Sequence, residues 1–572
     1  MSADDIIFET IKAYCLRQNR ENYRPPHDLF VAFQLFAEDM IKHALMEEGA
    51  SDHIDTITEP VANLLADWTR SLPKFKQGAF TTPIAPLITE EMVYDSILRF
   101  NQWPIKNNGL YASLREQLNE NARVDGQILT PKDNKNFTAE FYFKRTPFMR
   151  LVEATSPFSF RDYKERHHCM FAQSGAGKTS LIAQTVWEHL HENDPPAMVI
   201  FDPHDEFIDK IEHLDYWRKH PDRLAVLDPS SKPSLNLFDQ PQFDAVDAAK
   251  IAKLWDYLFG DMELTGAQPG VFYPIISLMV AKYQNGGATA QDLVEYARKP
   301  DDPRWLPFIA KIPNANTRYY LEHTIHKEKQ SVQAIIRRIN VLEAEPNLFQ
   351  SFCAPSNKLD LFKILHEEKR TLLVRMDGIA DKELCCRYVM MLLYRFAFER
   401  GKRVKDERKR HPILIFADEA HFVLNSSVIE NFLTDTRKFG LFVRAYTQHL
   451  DKLTPSVRDA LVKGTRLRIA SHLDDDDARD LARRMKCDHK MLTFELPDSS
   501  PYLQFAVQVA GEFPTIHVRL KKGPMDRMPL MTDAQFEEAS AASRRALQGK
   551  PQSAASSRTA PQDDAELNPD NF

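Results

Sequence analysis

The sequence predicts an α/β fold with a parallel, doubly wound sheet at its centre. From about residue 146 to 530, short apolar segments alternate with helix-like segments, which is the order expected of parallel strands joined by crossover helices. At one of these junctions an apolar run at 169–171 leads into a glycine-containing loop and then a helical pattern from Ser180. The alternation predicts the sheet, and the loop predicts a ligand site at its carboxyl edge.

The chain is expected to contain three parts. Residues 1–145 are predicted to be mostly helical, because apolar residues recur at helical spacing around 29–36 and 61–72, with a hairpin at 137–143. The core is assigned to 146–540, with a helical insertion at about 240–350 where the alternation stops. A Ser-, Ala-, Pro- and Gln-rich tail, 541–572, is predicted to be disordered. Candidate core strands are 170–171, 198–201, 224–227, 371–374, 413–416, 442–446 and 467–470.

Composition is that of an ordinary globular protein, with 43% hydrophobic and 27% charged residues among 572. The most apolar stretch, 388–398, contains Arg395 and is shorter than the roughly 20 residues needed to span a bilayer. The first residues lack a basic signal region, so we expect a cytoplasmic protein without direct membrane insertion. Six cysteines without metal-ligand spacing predict reduced thiols. A net charge of −7 leaves nucleic-acid binding open.

The loop AQSGAGKT at 172–179 has the composition of a phosphate-binding loop. Gly175 and Gly177 allow backbone N–H groups to turn toward a polyphosphate, and the following helix adds the positive end of its dipole. Lys178 can reach the β- and γ-phosphates, and the Thr179 hydroxyl can ligate Mg²⁺. Ala172 stands where the usual pattern has its first glycine, a position that serves the entry turn. The candidate nucleotide-binding residues are Ser174, Gly175, Ala176, Gly177, Lys178, Thr179 and Ser180.

Two acids follow the apolar strand at 413–417. Asp418 is expected to hold Mg²⁺, and Glu419 to orient and deprotonate the attacking water. The alternative is that the pair only caps the next helix. Gln448, just past the strand at 442–446, either senses the γ-phosphate or faces water in a loop.

Other polar positions have two interpretations each. Asp202 and Asp205 follow a predicted strand and either face the same edge or serve a turn. The acidic run 474–477 is expected to cap an amphipathic helix rather than bind a metal.

Two groups of basic residues are also ambiguous. The tract 400–410 either touches a phosphate backbone or forms a solvated loop. Arg337 and Arg338 either serve a subunit interface or are surface charges.

Five motifs, in this order, resemble the HerA/FtsK superfamily of DNA-pumping ATPases and are most similar to its HerA-like branch. The resemblance covers about 165–490, and its motifs are AQSGAGKT, FDPHDEF at 201–207, LIFADEAH at 414–421, RKFG at 437–440 followed by YTQ at 446–448, and SHLDDDDARDLARRM at 471–485. Residues 1–145 differ from HerA itself, whose N-terminal part is a small β-barrel.

The resemblance implies a RecA-like P-loop NTPase core, assembled as a homo-hexamer, that uses ATP and Mg²⁺. By matched position, Lys178 and Thr179 bind nucleotide and metal, Asp418 and Glu419 are the metal-binding and catalytic acids, and Gln448 is the sensor. A trans-acting arginine is also implied, for which the candidates are Arg437, Arg466 and Arg468.

These observations lead us to expect an ATP-hydrolysing ring motor that translocates or remodels DNA. One alternative is an ATPase for conjugation, secretion or packaging that moves DNA or protein through a portal. Another is a nucleotide-gated scaffold for a partner effector in a defence complex, docked on the helical N-terminal region.

Overall fold

The computed structural model describes residues 3–20, 23–46, 54–102, 111–228, 236, 238, 268–356, 359–424, 429–448 and 452–547. Within those ranges the helices, α1 to α23 in chain order, are Ala3–Arg20, His27–Leu45, Ile54–Ser71, Glu90–Gln102, Ala112–Asn121, Ala139–Phe143, Met149–Val152, Lys178–Leu190, Glu206–Glu212, Tyr216–Lys219, Gln268–Gln284, Ala290–Arg298, Leu306–Ile309, Ala315–His323, Lys329–Glu343, Pro346–Phe352, Lys382–Arg403, Ala420–Leu424, Ile429–Arg437, Pro455–Gly464, Asp475–Met485, Lys490–Thr493 and Asp533–Leu547. The strands, β1 to β13, are Phe80–Pro83, Arg123–Val124, Gln127–Ile128, Thr155–Phe158, His168–Ala172, Ala197–Phe201, Leu224–Leu227, Thr371–Val374, Ile413–Ala417, Leu441–Thr447, Leu467–Ser471, Tyr502–Val509 and Phe513–Lys521.

Eleven of the described strands form one sheet in the order β4-β1-β13-β12-β11-β5-β10-β9-β6-β8-β7. The seven strands from β11 to β7 are parallel. Every residue of β5, β6, β8, β9 and β10 is buried, because helices cover both faces of a parallel sheet, and most residues of these strands are apolar. The predicted RecA-like α/β core is confirmed, and all seven predicted core strands are present.

Four antiparallel strands extend the sheet beyond the predicted core. β12 and β13 form a hairpin beside β11, and β1 and β4 continue the sheet from β13. In β13 the buried and exposed residues alternate over most of its length, which is the pattern of a sheet with one solvated face. These strands were not predicted.

The predicted hairpin at 137–143 is wrong. Residues Ala139–Phe143 form the short helix α6, and the Thr138 hydroxyl accepts a hydrogen bond from the Phe141 N–H at 3.3 Å. This N-cap stabilises the first turn, so a local helix signal outweighs the strand-like composition of the segment. The rest of the N-terminal region is mostly helical, as predicted, but β1 joins the main sheet.

The predicted helical insertion is confirmed by α11 to α16, which lie between β7 and β8. Its start, 240–267, lies outside the described residues. Two polar contacts join the insertion to neighbouring segments: the Asn236 amide donates to the Ala288 carbonyl at 2.7 Å, and a Glu345 carboxylate oxygen accepts from the Asp381 N–H at 2.6 Å. Asp381 lies just beyond the carboxyl end of β8 and caps α17 through the Leu384 N–H.

Three remaining expectations concern the whole chain. Helix α23 runs to Leu547, across the start predicted for the tail at 541, and the remainder of the tail, 548–572, lies outside the described residues. All six cysteines are free thiols, three of them fully buried. Among the described helices, none has both the length and the apolarity to cross a bilayer.

Candidate nucleotide site

The predicted phosphate loop connects the carboxyl end of β5 to the amino end of α8. Gly175 and Gly177 have φ angles of 79° and 88°, in the left-handed region that glycine adopts without a steric penalty. A Cβ atom on Gly177 would lie 2.7 Å from Cδ1 of Leu503, on β12, so the Leu503 side chain would have to move, whereas the positive φ itself favours glycine. Ser174, Gly175 and Thr179 are exposed. The loop therefore presents its backbone to solvent at the start of a 13-residue helix, where an anion is favoured.

Four predicted residues meet at this edge of the sheet. The Lys178 ammonium lies 2.7 Å from Asp418 Oδ1 and also forms an ion pair with the Glu419 carboxylate. The Gln448 amide donates a hydrogen bond to Glu419 Oε1. β5, β10 and β9 are adjacent and parallel, so the segments that follow their carboxyl ends converge. The side chains of Lys178, Asp418 and Glu419 are each at most 8% exposed.

Glu419 has an unusual backbone and an unusual carboxylate. Its φ is 48°, in the left-handed region, which costs energy for a residue with a Cβ atom. Its Oε2 is buried and accepts no hydrogen bond from the described residues, although His421 Nδ1 lies 3.4 Å away. A strained residue with an open acceptor fits a base that takes a proton from a water molecule.

The two acids are affected differently by the same lysine. Burial raises the pKa of Asp418, and the charge and hydrogen bond of Lys178 only partly oppose this. Burial also tends to raise the pKa of Glu419, but the hydrogen bonds from Lys178 and Gln448 outweigh it and hold this pKa below its ordinary value. Glu419 is therefore ionised at neutral pH, which is the state a general base requires.

A divalent cation at this edge would depend on a bound polyphosphate. No group of three His, Cys, Asp or Glu side chains in the described ranges could hold a metal ion. Thr179 and Asp418 are the ligands predicted from sequence, so the remaining ligands would be phosphate and water oxygens, as Mg²⁺ prefers.

The carboxylates of Asp202 and Asp205 accept hydrogen bonds from backbone N–H groups at the start of α9 and just after β8. The Asp202 carboxylate accepts from the N–H groups of His204 and Phe207, both at 2.9 Å. Asp205 accepts from the Met376 N–H at 3.0 Å. These contacts support the turn interpretation, while Asp202 is still close enough to Asp418 to contribute to raising its pKa.

The acidic run at 474–477 caps a helix, as predicted. Asp474 Oδ1 accepts from the N–H groups of Asp476 and Asp477 at 3.1 and 2.9 Å. The next three aspartates occupy the first turn of α21, where negative charge is favoured by the helix dipole.

The candidate trans-acting arginines lie away from the phosphate loop of their own subunit. Arg437 and Arg466 are exposed and come just before β10 and β11, at the amino edge of the sheet. Arg468 is engaged within the chain: its guanidinium donates to the Val462 carbonyl at 2.8 Å and to Gln508 Oε1 at 2.8 Å. An arginine held this way is poorly placed to reach a neighbouring subunit.

The basic tract at 400–410 has a structural role at two positions. Arg400 is fully buried, and its guanidinium donates to the carbonyls of Phe439 and His411 at 2.9 and 2.7 Å. Burial and the nearby Arg410 lower the pKa of Arg400 to about 9. Arg410 donates to the Val404 and Lys438 carbonyls. These two residues are not available to a phosphate backbone. Arg337 lies exposed on α15, and the side chain of Arg338 lies outside the described part of the chain.

Several neighbours of the site were not singled out from sequence. His421 is part of the motif at 414–421 and could have been noticed there. Leu503 belongs to the unpredicted strand β12, so no sequence motif indicated that it would lie against the phosphate loop. Arg444, in the middle of β10, is fully buried, donates to His168 Nδ1 at 2.7 Å and lies 5.3 Å from the centre of the Phe416 ring. The signal that could have identified Arg444 was the presence of an arginine inside a mostly apolar strand.

A family model describes part of this chain. Residues 157–396, fewer than half of the total, match the model of the central domain of the helicase HerA. The match includes the phosphate loop and ends before Asp418. It agrees with the resemblance of the sequence motifs to the HerA/FtsK superfamily of P-loop ATPases. No curated protein sequence matches the chain.

Solved structures with a similar fold include two forms of one coupling protein and the protein VirB4. The bacterial conjugative coupling protein TrwBdeltaN70, in a trigonal form with sulphate, is 15% identical with a TM-score of 0.49, and the similarity covers 66% of this chain and 90% of that one. TrwB with the non-hydrolysable ATP analogue ADPNP is 16% identical with a TM-score of 0.48, and the similarity covers 66% of this chain and 90% of that one. VirB4 of Thermoanaerobacter pseudethanolicus is 13% identical with a TM-score of 0.43, and the similarity covers 63% of this chain and 90% of that one. At TM-scores below 0.5 these likenesses carry no argument about activity.

Proposed function

We propose that the chain is an ATP-hydrolysing ring motor that translocates or remodels DNA. The match of residues 157–396 to the model of the HerA central domain supports this proposal. The observation that carries the proposal is the convergence of Lys178, Asp418, Glu419 and Gln448 at the phosphate loop. A helix cap or a solvated loop would require neither a buried lysine paired with two acids nor an amide bonded to one of those acids.

The same residues suggest how the reaction proceeds. The loop N–H groups and Lys178 hold the β- and γ-phosphates, and the phosphates replace the two carboxylates as partners of the ammonium. Release from Lys178 frees Glu419 to accept a proton from water as the water oxygen bonds to the γ-phosphorus. The bond from that phosphorus to the ADP oxygen breaks, giving ADP and phosphate. Gln448, already bonded to Glu419, would report the presence of the γ-phosphate.

Mg²⁺ fits this arrangement. Thr179 and Asp418 would hold it, and its charge would stabilise the negative charge of the phosphates during transfer. The raised pKa of Asp418 reflects a carboxylate whose cationic partner, Lys178, does not fully offset its burial. A second cation beside it would be stabilising.

A ring is proposed because the exposed Arg437 and Arg466 lie at the amino edge, where they cannot act on their own subunit's phosphate loop. In a homo-hexamer with head-to-tail contacts, one subunit can present an arginine to the next. The partners proposed are therefore DNA and further copies of this chain.

The test of DNA movement is the effect of DNA on ATP turnover. We expect linear DNA to stimulate hydrolysis by the full chain. Long DNA should be more effective than short oligonucleotides, because repeated cycles require a length of DNA along which to move. Stimulation should fall as salt rises, since salt competes with the protein for phosphate charges. The control is Lys178→Ala, which should remain folded but hydrolyse no ATP with or without DNA.

The competing functions predict different results. A portal ATPase or a scaffold for an effector would be stimulated by a co-purifying protein rather than by DNA. ATP turnover unchanged by duplex and single-stranded DNA at low salt would refute the motor. Parental hydrolysis by Lys178→Ala would refute the assignment of the site itself.

A further inference from the structure

We propose that one face of α15, in the helical insertion, binds the phosphate backbone of DNA without regard to base sequence. The inference rests on the proposed DNA motor and names the surface by which the insertion would bind DNA. The face consists of Lys329, Gln330, Gln333, Arg337 and Asn340, all exposed, and is called the α15 stripe below.

The α15 stripe is continuous along one side of the helix. At 3.6 residues per turn its five positions fall within an arc of about 100°, and from Lys329 to Asn340 they span about 16 Å. None of them is acidic. Glu328 is half-buried one position earlier, on the opposite side, and Glu343, at the end of the helix, is paired with Arg298 at 2.6 Å. The stripe therefore presents positive charge and amides with no competing carboxylate at its own positions.

The hydrogen-bond donors of four of its five residues are uncommitted, while the Asn340 amide donates to the Ile336 carbonyl and to Glu343 Oε2, both at 3.2 Å. Among the described residues, the side chains of Lys329, Gln330, Gln333 and Arg337 form neither a hydrogen bond nor an ion pair. A lysine carries three N–H donors, an arginine five and each glutamine amide two. Cations and amides of this kind make most protein contacts to DNA phosphates, and such contacts do not depend on base identity.

The composition of the stripe favours nucleic acid over a protein partner. Protein interfaces have an apolar centre surrounded by a polar rim, and they are depleted in lysine. The α15 stripe has no apolar residue at any of its positions. The chain as a whole carries a net charge of −7, so its affinity for DNA must come from local basic surfaces such as this one.

The insertion is also connected to the edge of the sheet where ATP would bind. Helix α16 follows α15 after two residues, and Glu345 between them accepts a hydrogen bond from the Asp381 N–H at 2.6 Å. Asp381 follows β8, which pairs with β6, and β6 pairs with β9, the strand that leads to Asp418 and Glu419. These contacts join the insertion to the same edge of the sheet as Asp418 and Glu419.

The test is the salt dependence of DNA binding by the full chain carrying Lys329→Gln and Arg337→Gln together. Each phosphate contact contributes about 1 to the slope of log K against log salt, so we expect the slope to fall by about 2. DNA-stimulated ATP turnover should fall, while turnover without DNA should not change. The matched control is Lys299→Gln with Lys311→Gln, which removes two cations from the same insertion outside α15 and should leave the slope unchanged.

The outcomes separate this inference from the proposed function. If the parent protein itself binds no DNA in a salt-dependent way, the motor and the inference both fail. If the parent binds DNA but the double variant and the control behave alike, only the inference fails. A double variant that loses its oligomeric state by light scattering would show that the stripe is a subunit contact, which also overturns the inference.

Discussion

Lys178 has partners in this structure that it would have to leave when ATP binds. Its ammonium is shared between Asp418 and Glu419, and Glu419 in turn is held by Gln448. The γ-phosphate of ATP would compete for the lysine, because a polyphosphate carries more negative charge than either carboxylate. Binding of ATP would therefore separate Lys178 from both carboxylates.

The first prediction concerns Glu419→Gln. The amide retains one acceptor near Lys178 but cannot take a proton, so we expect the hydrolysis rate to fall by about 10²–10⁴-fold with ATP binding retained. The measurement is steady-state turnover together with the amount of ATP that stays bound after gel filtration. Glu407→Gln, at an exposed glutamate in the segment before β9, is the control. Normal turnover in Glu419→Gln, with loss in Asp418→Asn alone, would reverse the roles of the two acids.

The second prediction concerns the pH dependence of stability at Asp205. Burial, together with the carboxylates of Asp377 and Asp202, raises the pKa of Asp205 to about 6. The folded state then holds the proton more tightly than the unfolded state, so this group lowers stability as pH rises from about 4 to 6. Asp205→Asn keeps the acceptor for the Met376 N–H and suits the residue's φ of 61°.

The measurement is the Tm of Asp205→Asn and of the parent protein at pH 8 and pH 5. We expect the variant to have the higher Tm at pH 8, and the difference to shrink at pH 5, where the parent is largely protonated at this position. A difference that does not depend on pH would mean that Asp205 is not a buried charge in the folded protein.

At the scale of elements, prediction from sequence succeeded where a segment carries its own signal. The strand that leads to Asp418 is a continuous apolar run, and the strand before Gln448 is mostly apolar. Asp474 is of a residue type that is preferred at N-caps. The segment at 137–143 failed because the single hydroxyl of Thr138 starts a helix. β1 and β4 are only four residues long and pair with each other or with a strand far along the chain, so their local sequences contain little information.

The candidate site was more predictable than its surroundings. Lys178, Asp418, Glu419 and Gln448 come together because parallel strands place their carboxyl ends at one edge. The contact of Leu503 with Gly177 depends on β12 lying next to β11, and no motif marks that pairing. The roles of Arg437 and Arg466 depend on a second subunit and stay predictions.

The third prediction concerns the cap of α21. Asp474→Ala removes the acceptor for two N–H groups, a loss of about 1 kcal/mol. We expect hydrogen exchange in the first turn of α21 to become about fivefold faster, as that free energy implies. Asp476→Ala is the control, because its side chain is 98% exposed and caps nothing. Equal exchange in the two variants would show that the cap is not stabilising.

At the scale of the whole molecule, the fourth prediction tests the ring. We expect light scattering to give the mass of an oligomer, and mixing Lys178→Ala with Arg437→Ala or Arg466→Ala to restore part of the ATP turnover, since a mixed interface contains one intact site. Arg468→Ala should not complement, because its guanidinium bonds support the fold of its own subunit. A fully active monomer would rule out a ring.

The pairing of β1 with β13 sets an order for folding during synthesis. The Thr82 hydroxyl donates to the His517 carbonyl, 435 residues later in the chain. At about 5–20 residues per second, the ribosome needs roughly 20–90 s to deliver that partner. Through this interval β1 has an unpaired edge, and unpaired edges recruit other chains. The apolar side chains of the first 145 residues belong to the same buried cluster as those of the C-terminal hairpin, so this part of the core is also completed only when the hairpin emerges.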